Sequence, residues 1–166
     1  MCVTRPVLPM TGGCACGAIR YEINSFPLLL YSCHCTDCQT ISGSAFALNM
    51  PVATHGFRIV TGQPKAWRRL SPSGAEVISW FCGDCGARLY GERLSRPESM
   101  NVRAGTLDDT SWLVPSAHLF MKSAQPWIQS WIQPGADVEC HDISPPDFRP
   151  LARNWRVLWP EFFPPE

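Results

Sequence analysis

Seven of the nine cysteines in this 166-residue chain stand in three tight groups. They are Gly13-Cys14-Ala15-Cys16-Gly17, Cys33-His34-Cys35-Thr36-Asp37-Cys38 and Cys82-Gly83-Asp84-Cys85-Gly86. Nothing else in the sequence limits the fold so severely, because groups whose sulfurs share a metal ion must converge. Zinc takes four soft donors at tetrahedral corners about 2.3 Å away, and cysteine thiolate supplies them. Two cysteines one or two residues apart on a tight turn can both reach one ion. The flanking Gly13, Gly17, Gly83 and Gly86 suit such turns. One short pair is a weak signal; three groups are a strong one.

Seven donors do not fill two four-coordinate sites. The simplest allocation gives a closed site of four thiolates, which holds structure, and an open site of three, which leaves a position for water or substrate. Cys33, Cys35 and Cys38 are consecutive, so they form the natural open set. Cys14, Cys16, Cys82 and Cys85 would then close the other, and binding there would be coupled to folding. The competing arrangement is a single zinc, with the remaining cysteines as buried or redox thiols. His34 lies between two cysteines, where its ring tends to point away from their sulfurs. A role beside the metal or at the surface is expected of it rather than coordination. Cys2 and Cys140 read as spare thiols, and His55, His118 and His141 as ordinary polar or core residues. Thiol redox chemistry at Cys82 and Cys85 lacks the βαβ setting of thioredoxin-like folds.

The bulk composition removes other classes. Lys+Arg and Asp+Glu both number 14, giving zero formal net charge, a poor basis for neutralising many phosphates, so no nucleic-acid partner is expected. Apolar runs such as Phe26 to Tyr31 fall far short of the roughly 20 residues a spanning helix needs, so no membrane partner is expected either. Met1 to Thr11 is interrupted by Pro6 and Pro9 and shows no secretory pattern. The expected location is therefore the cytoplasm. A reducing cytosol leaves thiols free for metal, which argues against a disulfide-stapled secreted domain.

Sixteen prolines and twelve glycines leave long helices little room. Ala18–Ile23 alternates with the period of a half-buried strand. Phe57–Thr61 and Glu76–Phe81 are rich in β-branched and aromatic side chains; Ala45–Met50 and Met100–Ala104 are weaker strand candidates. One short helix is expected after Cys35, with Thr36 as N-cap and Gly43 as its stop. The expected fold is mostly β with few short helices. The organisation expected is an N-terminal segment 1–11, a zinc-binding domain 12–133 and a Pro/Trp-rich extension 134–166. That extension holds Pro134, Pro145, Pro146, Pro150, Pro160, Pro164 and Pro165 among Trp155, Trp159, Phe162 and Phe163. It reads as an extended tail that packs on its own domain.

The ordered motifs resemble a known family. Gly13-Cys14-Ala15-Cys16-Gly17-Ala18-Ile19-Arg20-Tyr21 is followed by Cys33-His34-Cys35-Thr36-Asp37-Cys38 and Ser42-Gly43-Ser44-Ala45-Phe46. Phe81-Cys82-Gly83-Asp84-Cys85-Gly86, Gly105-Thr106-Leu107-Asp108-Asp109 and Ser123-Ala124-Gln125-Pro126-Trp127 complete the set. In this order they are similar to the glutathione-dependent formaldehyde-activating enzyme family (Gfa), which includes centromere protein V. The resemblance spans about Gly12 to Trp131. It implies small packed antiparallel sheets organised around zinc, a β-tent. It also implies Cys14, Cys16, Cys82 and Cys85 as structural zinc ligands, and Cys33, Cys35 and Cys38 as the ligands and catalytic residues of a second zinc. The implied activity is a carbon–sulfur lyase chemistry joining glutathione, or another small-molecule thiol, to formaldehyde or a small aldehyde. The alternative is a non-enzymatic zinc-binding interaction module similar to centromere protein V. Gln39 stands where many members carry arginine, so any anion contact from that position is lost.

Overall fold

The computed structural model describes residues 5–71, 74–132 and 138–160. Cys2, Pro134, Phe162, Phe163, Pro164 and Pro165 lie outside the described residues, and so do the expectations placed on them. In chain order the first elements are β1 (Met10–Gly13), β2 (Arg20–Ile23), β3 (Tyr31–Cys33), α1 (Thr36–Ser42), β4 (Ala47–Ala53) and β5 (Phe57–Thr61). There follow β6 (Lys65–Leu70), β7 (Glu76–Phe81), β8 (Arg88–Arg93), β9 (Ser99–Arg103), β10 (Ala117–Leu119), α2 (Pro126–Trp131), β11 (Glu139–His141) and α3 (Arg149–Val157). The protein is mostly β, with eleven strands in two sheets among the described residues. No helix among them is long and apolar enough to cross a membrane.

The strands form where the side chains favour them. β5 and β7 occupy the two β-branched and aromatic stretches without a residue's difference. In β2 the alternation sends Tyr21 and Ile23 inward and leaves Arg20 and Glu22 half-buried. β4 and β9 fall within two or three residues of the weaker candidates.

The chain divides into two compact units. The first comprises Met1–Leu28 with Met50–Leu113. Here β2 lies between β1 and β5, antiparallel to both. β6, β7, β8 and β9 form an antiparallel ladder in sequence order. Ile23, Met50, Val52, Leu89, Val102 and Trp112 are almost wholly buried in it.

The second unit comprises Leu29–Asn49 with Val114–Glu166. β3 pairs antiparallel with the first residues of β4. β10 departs from the antiparallel pattern, running parallel to β3 on one side and to β11 on the other. α1 begins not at a Thr36 cap but at Cys35, whose backbone is extended and whose sulfur accepts the Cys38 N–H at 3.4 Å. A cysteine thus takes the capping position that sequence preferences give to a hydroxyl. The helix stops as expected at Gly43, with φ 61°.

The tail departs from its expected extended form. β11 pairs with β10, and α3 follows with Pro150 in its first turn, where a missing N–H costs nothing. Leu151, Trp155 and Trp159 are buried. Trp155→Ala is expected to lower stability by about 3–5 kcal/mol, as for a large buried aromatic. A thermal melt that left the midpoint within a degree or two of the parent would show that this segment contributes no core.

Candidate metal centres

In the first unit, Cys14 and Cys16 follow β1, while Cys82 and Cys85 follow β7. Each pair rides a turn closed by a glycine with positive φ, Gly17 at 78° and Gly86 at 74°, a conformation that costs glycine nothing. The Gly17 N–H bonds the Cys14 carbonyl at 3.1 Å, and the Gly86 N–H bonds the Cys82 carbonyl at 3.0 Å. All four sulfurs lie within 4.8 Å of one another. The Cys14–Cys16 separation is 3.5 Å and the Cys16–Cys82 separation 3.8 Å. A tetrahedron with sulfurs about 2.3 Å from its centre has edges of about 3.8 Å. Cys14 and Cys82 are buried, and Cys16 and Cys85 face solvent.

In the second unit, Cys33 ends β3, Cys35 caps α1 and Cys38 sits in its first turn. Their sulfurs also converge within 4.8 Å, with Cys33 and Cys35 at 3.6 Å. Cys33 and Cys38 are buried and Cys35 is half-buried. Ala47, Tyr31 and Phe120 pack around them. His34 is wholly buried, so the surface role does not hold. Its Nε2 meets Nδ1 of His118 at 3.0 Å. Burial, with His118 beside it, draws His34 down to about 4, and burial also lowers His118. Burial thus disfavours the charged form of both rings. Sequence spacing could not reveal His118, because β10 carries it to β3 from 84 residues away. The Gln39 amide donates to the His34 carbonyl at 2.7 Å and to the Ser123 carbonyl at 2.8 Å. Cys140, on β11, is an exposed free thiol outside both groups; His55 and His141 are likewise outside them.

The donor chemistry fits a soft divalent cation. Two like charges about 4 Å apart repel by about 4 kcal/mol at a protein surface, so adjacent thiolates need a counter-ion. The Ala18 N–H favours a thiolate at Cys16, yet Cys14 and Cys85 outweigh it and push Cys16 up to about 12. Cys35 and Cys38, followed by burial, drive Cys33 far above its ordinary value. Cys85 moves the other way, to about 6, because the Ala87 and Cys16 N–H groups bond its sulfur. A cation placed among these sulfurs removes the repulsion. All seven are free thiols, and soft thiolate sets suit zinc.

Gly105–Asp109 is a turn after β9 rather than part of either thiol group. Leu107 bridges to Gly12, and Asp108 accepts the Thr11 hydroxyl at 2.6 Å and pairs with Arg20. Arg20 and Thr11 hold the Asp108 carboxyl below its ordinary value. A depressed carboxylate contributes stability above its unfolded pKa of about 3.9 and loses it as pH falls through the lower folded value. Both side chains are more than a third exposed, so solvent screening keeps the effect below about 1 kcal/mol. Asp108→Asn is expected to flatten the fall in melting temperature between about pH 4 and 2. An unchanged acid limb would remove the pair from the stability account.

The fold and its clustered thiols define a small mostly-β protein with two candidate metal centres. A family model described as glutathione-dependent formaldehyde-activating enzyme matches residues 9–123, and the chain belongs to that family. A solved structure of a Rhodobacter sphaeroides protein is similar in fold, with a TM-score of 0.50 and 20% identity over 79% of this chain and 99% of that one. None of the curated proteins compared matches the chain.

Proposed function

We propose that this protein is a zinc-dependent carbon–sulfur lyase of the Gfa type, forming or breaking the S-hydroxymethyl adduct of a thiol and formaldehyde. In the forward direction the thiol sulfur bonds the carbonyl carbon, the C=O double bond becomes single, and the thiol proton ends on that oxygen. No oxidant or reductant is needed. The single observation behind the reading is the incomplete tetrahedron of Cys33, Cys35 and Cys38, three sulfurs within 4.8 Å of one another, in a chain of this family.

Cys33, Cys35 and Cys38 would hold a catalytic zinc, and Cys14, Cys16, Cys82 and Cys85 a structural one. Zinc at a three-thiolate site supplies positive charge that lowers the pKa of an incoming thiol and polarises a carbonyl. The chain's own residues set the geometry. The carbonyl of His34 is pinned by Gln39 and its ring by His118, which fixes the backbone between two donors. Burial disfavours positive charge on either imidazole of that pair. Cys33 and Cys38 are buried and Cys35 is half-buried, so Cys35 would be the most accessible of the three to a substrate. We assign this activity to residues 12–133, in a reducing cytoplasm where thiols stay free.

The test is exchange between hydrated formaldehyde and its thiol adduct, followed by NMR with zinc-loaded and chelator-treated protein. Loaded protein is expected to accelerate exchange above buffer, and chelation to abolish the gain. No acceleration with glutathione or any small thiol would overturn the reading.

A further inference from the structure

An open cleft of about 540 Å³ lies beside α1, within the roughly 300–1,000 Å³ typical of small-molecule sites. Its polar residues are Gln39, Thr40, Ser44 and Gln125, its aromatic ones Phe46 and Trp127, and the rest are small. None of the described residues lining it carries a charge. Two of them reach the thiol group: Gln39 bonds the carbonyl of His34, between Cys33 and Cys35, and the Phe46 ring lies 5.3 Å from that of His34. Phe46 also leads directly into Ala47, which packs on Cys33 and Cys38. The cleft therefore adjoins residues that flank and pack on the thiol group.

Its amides form a directed chain. The Trp127 indole N–H donates to Gln125 Oε1 at 2.7 Å, and Gln125 Nε2 reaches Gln39 Oε1 at 3.5 Å. Gln39 then spends both its N–H groups on the carbonyls of His34 and Ser123. With both N–H groups engaged, the Gln39 side chain has only acceptor oxygen to offer a ligand. Trp127 packs edge-to-face with Trp131 at 5.1 Å yet remains 44% exposed, so part of its ring surface is left for a ligand. A carboxylate brought here would shed hydration and meet no positive partner, whereas an amide or hydroxyl would find acceptors and an aromatic wall.

We propose that this cleft seats the thiol substrate and selects an uncharged one, a small thiol bearing amide or hydroxyl groups, over an anionic thiol such as glutathione. This rests on Cys33, Cys35 and Cys38 being the reacting site. The substrate class is set by Gln39, Gln125 and Trp127, and by the lack of charge among the described residues that line the cleft.

N-acetylcysteine amide and N-acetylcysteine differ by one charge at nearly equal size, so they form the test pair. Formaldehyde exchange is measured for each with zinc-loaded protein, normalised to that thiol's uncatalysed rate. The amide is expected to give a kcat/KM about tenfold higher, the scale of one unpaired charge partly desolvated. Ser44→Arg should bring the two within about twofold, and Trp127→Ala should raise KM for the amide with little change in kcat. Binding of the two S-methylated analogues is followed by ligand-observed NMR, which needs no chemistry and no metal. Equal or acid-favouring binding and turnover would overturn the neutral-thiol assignment while leaving the lyase reading intact. Selective binding of the amide without acceleration of any thiol would uphold the cleft's preference and overturn the lyase reading instead.

Discussion

Cys82→Ser is expected to leave the chain without a cooperative native state. Cys82 is 1% exposed, its sulfur lies 3.8 Å from that of Cys16, and it joins turns that follow β1 and β7. Closure of a four-thiolate site by zinc contributes on the order of 10 kcal/mol, comparable with the whole stability of a domain, roughly 5–15 kcal/mol. A serine hydroxyl is a far weaker zinc donor, so most of that coupling disappears. Near-UV circular dichroism and thermal melts of zinc-loaded protein provide the check. A melt within a few degrees of the parent would mean that these four thiols hold no structural ion.

Cys35→Ser should behave in the opposite way. The substitution removes a soft ligand but preserves the helix cap, since a serine oxygen accepts the Cys38 N–H at least as well as sulfur does. On the proposed assignment of one ion to each thiol group, bound zinc is expected to fall by one ion per chain. Formaldehyde exchange should drop by about 100-fold or more, given that even outer-shell changes cost about 10–100-fold. The melting temperature should move by only a few degrees. Cys35→Ala loses the cap as well and should cost about 1 kcal/mol more. Unfolding of the serine variant, or turnover unchanged by it, would end the assignment of this group as the reacting centre.

Much of this architecture was legible from residue order. The grouping of Cys14/Cys16 with Cys82/Cys85, and of Cys33, Cys35 and Cys38 among themselves, needed only spacing and the number of donors a tetrahedron takes, and the sulfurs do converge in those sets. β5 and β7 were readable because β-branched and aromatic side chains occupy them without interruption. What could not be read depends on contacts far apart in sequence. His118 looked unremarkable until the parallel β3–β10 pairing set it beside His34. α3 was hidden because Pro150 signals a break to a local reading, although in a first turn it is well tolerated. The cap at Cys35 was missed because cysteine is not a preferred capping residue, and here the convergence of three sulfurs sets its backbone.

The two thiol groups differ in span, and that has a bearing on biosynthesis. Cys33, Cys35 and Cys38 sit within six residues, whereas Cys16 must wait for Cys82, 66 positions later. As the polypeptide leaves the ribosome, the local trio is complete long before the distant quartet can assemble, so an ion offered during translation meets the trio first.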